Sequence, residues 1–146
     1  VSATNNFETS LLDLIITNVD GPSSLGGGGL RGSTTAGVFY VSLSTTSPGE
    51  AGTQATGETV YTNYVRVSVA RDLSSWTVSG NTADNDAAID FATGGAAGET
   101  ISSFGLGSSS SGATPLFLYG DLTAVLAVSS GITPSFAAGD LNVTLD

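Results

Sequence analysis

The chain has no cysteine, histidine, lysine or methionine, and three arginines stand against 13 acidic residues. Without cysteine there is no disulfide framework, no thiolate nucleophile and no zinc–thiolate site. Without histidine, the commonest general base and metal ligand is missing, so a reactive centre would have to be built from carboxylates, Ser, Tyr and Arg. A formal net charge of −10 offers no cationic patch to displace counterions from a phosphate backbone or an anionic leaflet, which argues against nucleic acid and membrane as partners. The longest strongly apolar run, residues 11–19, contains Asp13 and is about half a bilayer span, so it reads neither as a membrane helix nor as an export signal.

What is present argues for a folded core. Apolar residues make up 40% of 146 positions and charged ones 11%, against roughly 25% charged residues in average globular chains. The length fits one domain, expected to span 1–146. Phe7, Leu11, Leu14 and Ile15 follow an i, i+4, i+7, i+8 spacing, which predicts a helix over 6–18 with those side chains on its buried stripe. Asn5 and Glu8 read as its capping pair, and Asp20-Gly21-Pro22 as its stop. Residues 20–37, with Gly26, Gly27, Gly28 and Gly29, read as a connector or arm.

From Val38 the period changes to alternation and short β-branched or aromatic runs at 38–43, 64–71, 76–79, 88–92, 100–106, 116–122, 125–128 and 141–145. In the clearest of them, Val65, Val67 and Val69 share one face and Tyr64, Arg66, Ser68 and Ala70 the other. Turn signals such as Ser47-Pro48-Gly49 and Ser79-Gly80-Asn81 separate the runs. Pro115 and Pro134 sit just before apolar runs, where a strand tolerates a missing donor. The expected fold is all-β, a jelly-roll-like antiparallel β-sandwich preceded by one short N-terminal helix, with a barrel as the alternative.

Candidate chemistry is thin. The glycines at 26–29 lack the lysine and the preceding strand of a phosphate loop. Ser108, Ser109, Ser110 and Ser111 lie between Gly107 and Gly112 without a nucleophile-elbow pattern or a histidine to take a serine proton, so a loop tip is expected. Asp84, Asp86 and Asp90 are the best cation candidates because closely spaced hard oxygens suit calcium, but the spacing fails the EF-hand pattern and solvated turn acids explain it more simply. The acids leave room for a glycosidase pair, yet the chain has one tryptophan, and Trp76 reads as a core or sheet-edge aromatic. Asn142-Val143-Thr144 fits a glycosylation sequon inside an expected strand and is taken as chance. The three arginines, Arg66 and Arg71 among them, are expected to find carboxylate partners within the fold or across a subunit boundary. No catalytic residue, cofactor site or metal site is assigned.

The run Tyr40-Val41-Ser42-Leu43-Ser44-Thr45-Thr46-Ser47-Pro48-Gly49-Glu50, preceded by Phe7-Glu8 and Leu11-Leu12-Asp13, resembles a group of small tailed-phage structural proteins commonly labelled tail-fibre proteins. The resemblance continues in order through Tyr64-Val65-Arg66, Ile89-Asp90-Phe91, Phe104-Gly105-Leu106, Leu118-Tyr119-Gly120-Asp121-Leu122 and Pro134-Ser135-Phe136-Ala137-Ala138-Gly139-Asp140-Leu141. The glycines at 26–29 depart from the group's pattern. The resemblance implies a non-enzymatic virion protein made in the bacterial cytoplasm, with a short helix before a β-sandwich. No extended shaft with a coiled-coil or repeated register is present, and negative charge suits the outside of a capsid. These points favour a decoration or cement protein on the outer shell, a homotrimer bridging major capsid protein subunits, with no nucleic acid, membrane or small-molecule substrate. The alternative is a tail-fibre or baseplate component that binds host glycans through loops such as 107–112.

Overall fold

The structure, a computed structural model, describes residues 2–21 and 31–145. Half of the expected glycine-rich arm, residues 22–30 with Gly26 to Gly29, lies outside these residues. The fold is mostly β, with antiparallel pairing and one short N-terminal helix, as the sequence predicts, and these sheets are compatible with a sandwich. The chain forms two compact units. One comprises 1–37, 70–88 and 136–146, the other 38–69 and 89–135.

In the first unit, α1 (Asn5–Leu12) runs directly into a π-helical turn (Asp13–Thr17) that stops at Asn18, whose backbone is left-handed at φ 60°. This segment packs on the three-stranded sheet β3–β4–β9, formed by Trp76–Ser79, Thr82–Asn85 and Asn142–Thr144. The helix is where it was expected, but its buried face is not. Leu12 and Ile16 are buried with Glu8, while Phe7 and Ile15 are more than one-third exposed. Glu8, Leu12 and Ile16 follow the same i, i+4, i+8 spacing as Phe7, Leu11 and Ile15 but one position on, and the displacement is already present at Glu8, before the π turn begins. The capping pair also differs: Thr4 is the N-cap and makes no side-chain bond, and Asn5 already belongs to the helix. Trp76 is fully buried and donates from Nε1 to the Ala70 carbonyl at 2.9 Å, the core role expected of it.

In the second unit, a four-stranded sheet has the order β2–β1–β6–β7, from Val67–Ala70, Val38–Ser44, Glu99–Gly107 and Leu116–Val128. Ile89–Asp90 (β5) and Ser135–Phe136 (β8) make a short ladder. Phe39, Val41, Leu43, Tyr61, Phe91, Ile101 and Leu106 supply buried apolar side chains. Pro115 and Pro134 stand immediately before β7 and β8, as their missing donors require. The two runs at 116–122 and 125–128 are one strand, because the pairing with β6 resumes after a shift between Ile101 and Ser103. The strand expected over 64–71 shrinks to 67–70, and its phase is reversed at the start. Val65 is 61% exposed and Arg66 6%, because an ion pair inside the unit holds the arginine more strongly than the valine's burial would hold the opposite phase.

Candidate functional site

The most developed polar constellation lies in the second unit, around Arg66. Its Nε donates to Glu58 Oε1 at 2.6 Å and its Nη2 to Glu58 Oε2 at 2.7 Å, a two-pronged match of planar fork to carboxylate. The remaining donors reach the loop between β6 and β7: Nη1 bonds the Ser109 carbonyl and Nη2 the Gly112 carbonyl, both at 2.9 Å. Tyr64 completes the set, donating to Glu58 Oε1 at 2.9 Å and accepting from the Leu43 backbone N–H at 3.1 Å. Donation to the Glu58 carboxylate raises the Arg66 pKa further, and burial raises that of the Tyr64 phenol well above its usual value. Arg66 therefore stays charged and Tyr64 neutral.

The loop that Arg66 grips is pinned from the other side by Gln54, which is 1% exposed. Its Oε1 accepts from the Ser109 N–H at 3.1 Å and the Thr114 hydroxyl at 2.7 Å, and its Nε2 donates to the Tyr40 carbonyl at 3.0 Å. A Cβ at residue 107 would collide with the Gln54 side chain, so the strand needs Gly107 there. Gly112 turns the loop with φ +82°.

Above this network lies an open groove of about 510 Å³ lined by residues 58–66 and 110–112. Tyr61 and Tyr64 meet edge to face at 5.3 Å, and Tyr64 stacks on Phe91 at 6.4 Å. Val60, Thr62, Asn63, Val65, Ser110 and Ser111 are exposed along it. Its charged lining residues are Glu58 and Arg66, which neutralise each other, so the groove presents hydroxyls, an amide and methyl groups with little net charge.

The other sequence candidates are not brought together. Asp84 accepts from the Asn142 side chain, Asp86 from the Thr77 hydroxyl at 2.7 Å and Asp90 from the Ser135 hydroxyl at 2.5 Å. Each acid has its own partner, and among the described residues no three metal-ligating side chains converge. Asn142 sits in β9 with its amide also donating to the Gly139 carbonyl at 2.9 Å. Arg66 has a carboxylate partner within the fold, as expected; Arg71 has none among the described residues and bonds the Leu14 carbonyl at 3.0 Å, Asn18 Oδ1 at 2.6 Å and the Ala36 carbonyl at 3.1 Å. The serines at 108–111 form the loop tip foreseen for them, and the place of Ser110 and Ser111 along a groove is what the sequence hid. Glu58 and Gln54 carried no signal, since neither belongs to a periodic run or a motif.

No helix among the described residues is long and apolar enough to cross a membrane, which says nothing of strands. No curated protein matches the chain. A family model described as "Podophage GP4 fiber I protein gp80" matches residues 2–144. That match spans nearly all of the sequence and bears out the resemblance carried by its ordered motifs: the chain belongs to this family of phage fibre structural proteins.

Proposed function

We propose that the protein is a tail-fibre component that acts by adhesion and not by chemistry, with the groove at 58–66 and 110–112 as the surface that meets neutral glycans of the host envelope. The observation that carries this reading is the family match over residues 2–144. It favours the tail-fibre alternative over a capsid-decoration protein, and nothing found supports contact with a major capsid protein. The absence of histidine and cysteine and the dispersal of Asp84, Asp86 and Asp90 onto separate partners support a non-enzymatic role.

The groove's chemistry selects the ligand class. Anionic polymers are repelled by a chain of net charge −10, and the Arg66 charge is already taken by Glu58. Sugar hydroxyls are matched by the exposed Thr62, Asn63, Ser110 and Ser111, and the apolar faces of sugar rings by Val60 and Val65. A glycan array probed with the purified chain tests this. Binding to neutral host polysaccharides is expected, weakened at least about 10-fold by Val60→Lys or Ser111→Arg, with the bound glycan recovered intact. Binding that ignores both substitutions, no binding to any envelope glycan, or release of shortened sugars would overturn it.

A further inference from the structure

Left-handed backbone is unfavourable for a residue that carries a Cβ, and among the described residues the chain meets positive φ with glycine at all but two positions. Both exceptions are asparagines, Asn18 at φ 60° and Asn63 at φ 79°. Asn18, in the first unit, has both ends of its amide engaged. Its Oδ1 accepts from the Ser33 N–H at 2.8 Å, the Ser33 hydroxyl at 3.0 Å and Arg71 Nη2 at 2.6 Å, and its Nδ2 donates to the Ser33 carbonyl at 2.9 Å. Those bonds account for an amide where glycine would be easier. Asn63, in the second unit, is exposed and lines the groove. Its amide makes one bond, from Nδ2 to the Thr93 carbonyl at 3.1 Å, and its Oδ1 has no partner among the described residues.

The fold nevertheless holds Asn63 firmly. It is the third residue of a turn closed by the Tyr64 N–H on the Tyr61 carbonyl at 3.0 Å, a place where positive φ favours glycine. The preceding residue is pinned on three sides: the Thr62 N–H donates to the Ala97 carbonyl at 3.0 Å, and the Thr62 carbonyl and hydroxyl accept from the Gly95 and Ala97 N–H groups, both at 3.1 Å. A Cβ at residue 95 would collide with the Thr62 side chain, so the two segments lie in close contact. The Thr93 bond then fixes the amide itself, because only its N–H end can meet a carbonyl. What remains open is an acceptor oxygen and a second N–H on the same oriented group.

We infer that Asn63 is the specificity-determining residue of the groove and reads two adjacent hydroxyls of a neutral sugar ring, its Oδ1 accepting from one and its Nδ2 donating to the oxygen of the next. The inference rests on the glycan reading of the groove and deepens it. Adjacent ring hydroxyls offer the donor and acceptor that a planar amide lacks partners for, on neighbouring atoms in both groups. Arg66 and Glu58 are bonded to each other, so discrimination falls on neutral polar groups. The Ser110 and Ser111 hydroxyls rotate to suit whatever they meet, whereas an amide held on a pinned turn does not. A sugar without free adjacent hydroxyls would cover the amide and leave it unpaired, which is how a site built to hydrogen-bond rejects an analogue.

Two measurements on the full chain test this. On the glycan array, Asn63→Gly should weaken binding at least about 10-fold while the midpoint of urea denaturation stays at its natural value, since glycine relieves the backbone as the Thr93 bond is given up. Asn18→Gly should do the reverse, lowering the midpoint and leaving glycan binding unchanged. In solution, nuclear magnetic resonance of the isotope-labelled chain follows the Asn63 side-chain amide, identified by its absence from Asn63→Gly. That resonance should shift on titration with at least one of the methyl pyranosides of glucose, galactose and mannose, and not with their counterparts methylated at every ring hydroxyl. Natural-strength binding by Asn63→Gly, a resonance that ignores all three glycosides, or an equal shift with the methylated sugars would overturn the inference while array binding by the natural chain keeps the adhesion reading standing. Weakened binding that comes with a lowered midpoint would make Asn63 structural and overturn it as well. An array on which the natural chain binds nothing would defeat the adhesion reading and this inference together.

Discussion

Arg66 and Arg71 are five positions apart in a run that reads as one strand, yet the structure puts them to different uses. Arg66 is buried in the second unit on a carboxylate and ties down the carbonyls of the loop after β6. Arg71 is part-buried in the first unit and has no carboxylate partner among the described residues; it reaches the Leu14 carbonyl at the end of the helical segment, the Asn18 side chain and the Ala36 carbonyl. A helix C-terminus carries a partial negative charge that a cation offsets. One guanidinium thus has its charge cancelled beside a groove, and the other closes the end of a helix. In a chain with so few cations, this difference leaves the groove neutral.

Substitutions sharpen the contrast. Arg66→Met should have the largest effect, about 3–5 kcal/mol in urea denaturation, because it strands Glu58 in a site that is only partly hydrated and frees the 109–112 loop. Arg71→Met should cost less, about 1.5–3 kcal/mol, since it removes hydrogen bonds from a charged donor without abandoning a buried partner charge. If Arg71→Met proves the costlier of the two, the ranking by carboxylate pairing is wrong. Tyr64→Phe should cost about 1 kcal/mol at neutral pH through its bonds to Glu58 and Leu43.

The pH dependences come next. Burial raises the Tyr64 pKa in the folded state, so its contribution is complete below the unfolded tyrosine value of about 10. That contribution is lost as pH rises above 10 toward the folded value. Alkaline titration of stability should show this loss in the natural chain and a shallower one in Tyr64→Phe. The smallest effect is acidic. The Thr59 hydroxyl at 2.5 Å and the Val60 N–H at 2.6 Å lower the Glu99 pKa, so its contribution is present above the unfolded glutamate value and fades as pH falls through the folded one. Glu99→Gln should lower stability slightly near neutrality and flatten its fall below about pH 4.3.

The elements legible in the sequence were those whose pattern is local. Helix spacing placed α1, and alternation or β-branched runs placed β1, β3, β6 and β9, because burial on one face writes directly into residue order. β4 was missed because Ala83 and Asn85 are its buried residues, and the asparagine hides there by bonding the Ala87, Ala137 and Leu141 backbones. The reversed phase at Val65 and Arg66 has the same origin: a partner eight residues away, Glu58, outweighs the local alternation. The groove was legible only as a loop tip and an arginine awaiting a partner, since the contacts that build it, from Gln54 to Thr114 and from Arg66 to Gly112, span far more sequence than any motif.

The account stands or falls on where the protein sits in the particle. Cryo-electron microscopy of intact virions, with the protein marked by a bound antibody fragment, decides it most directly. Labelled density on the tail, in fibres, is the predicted result; labelled density spread over the head shell would contradict it.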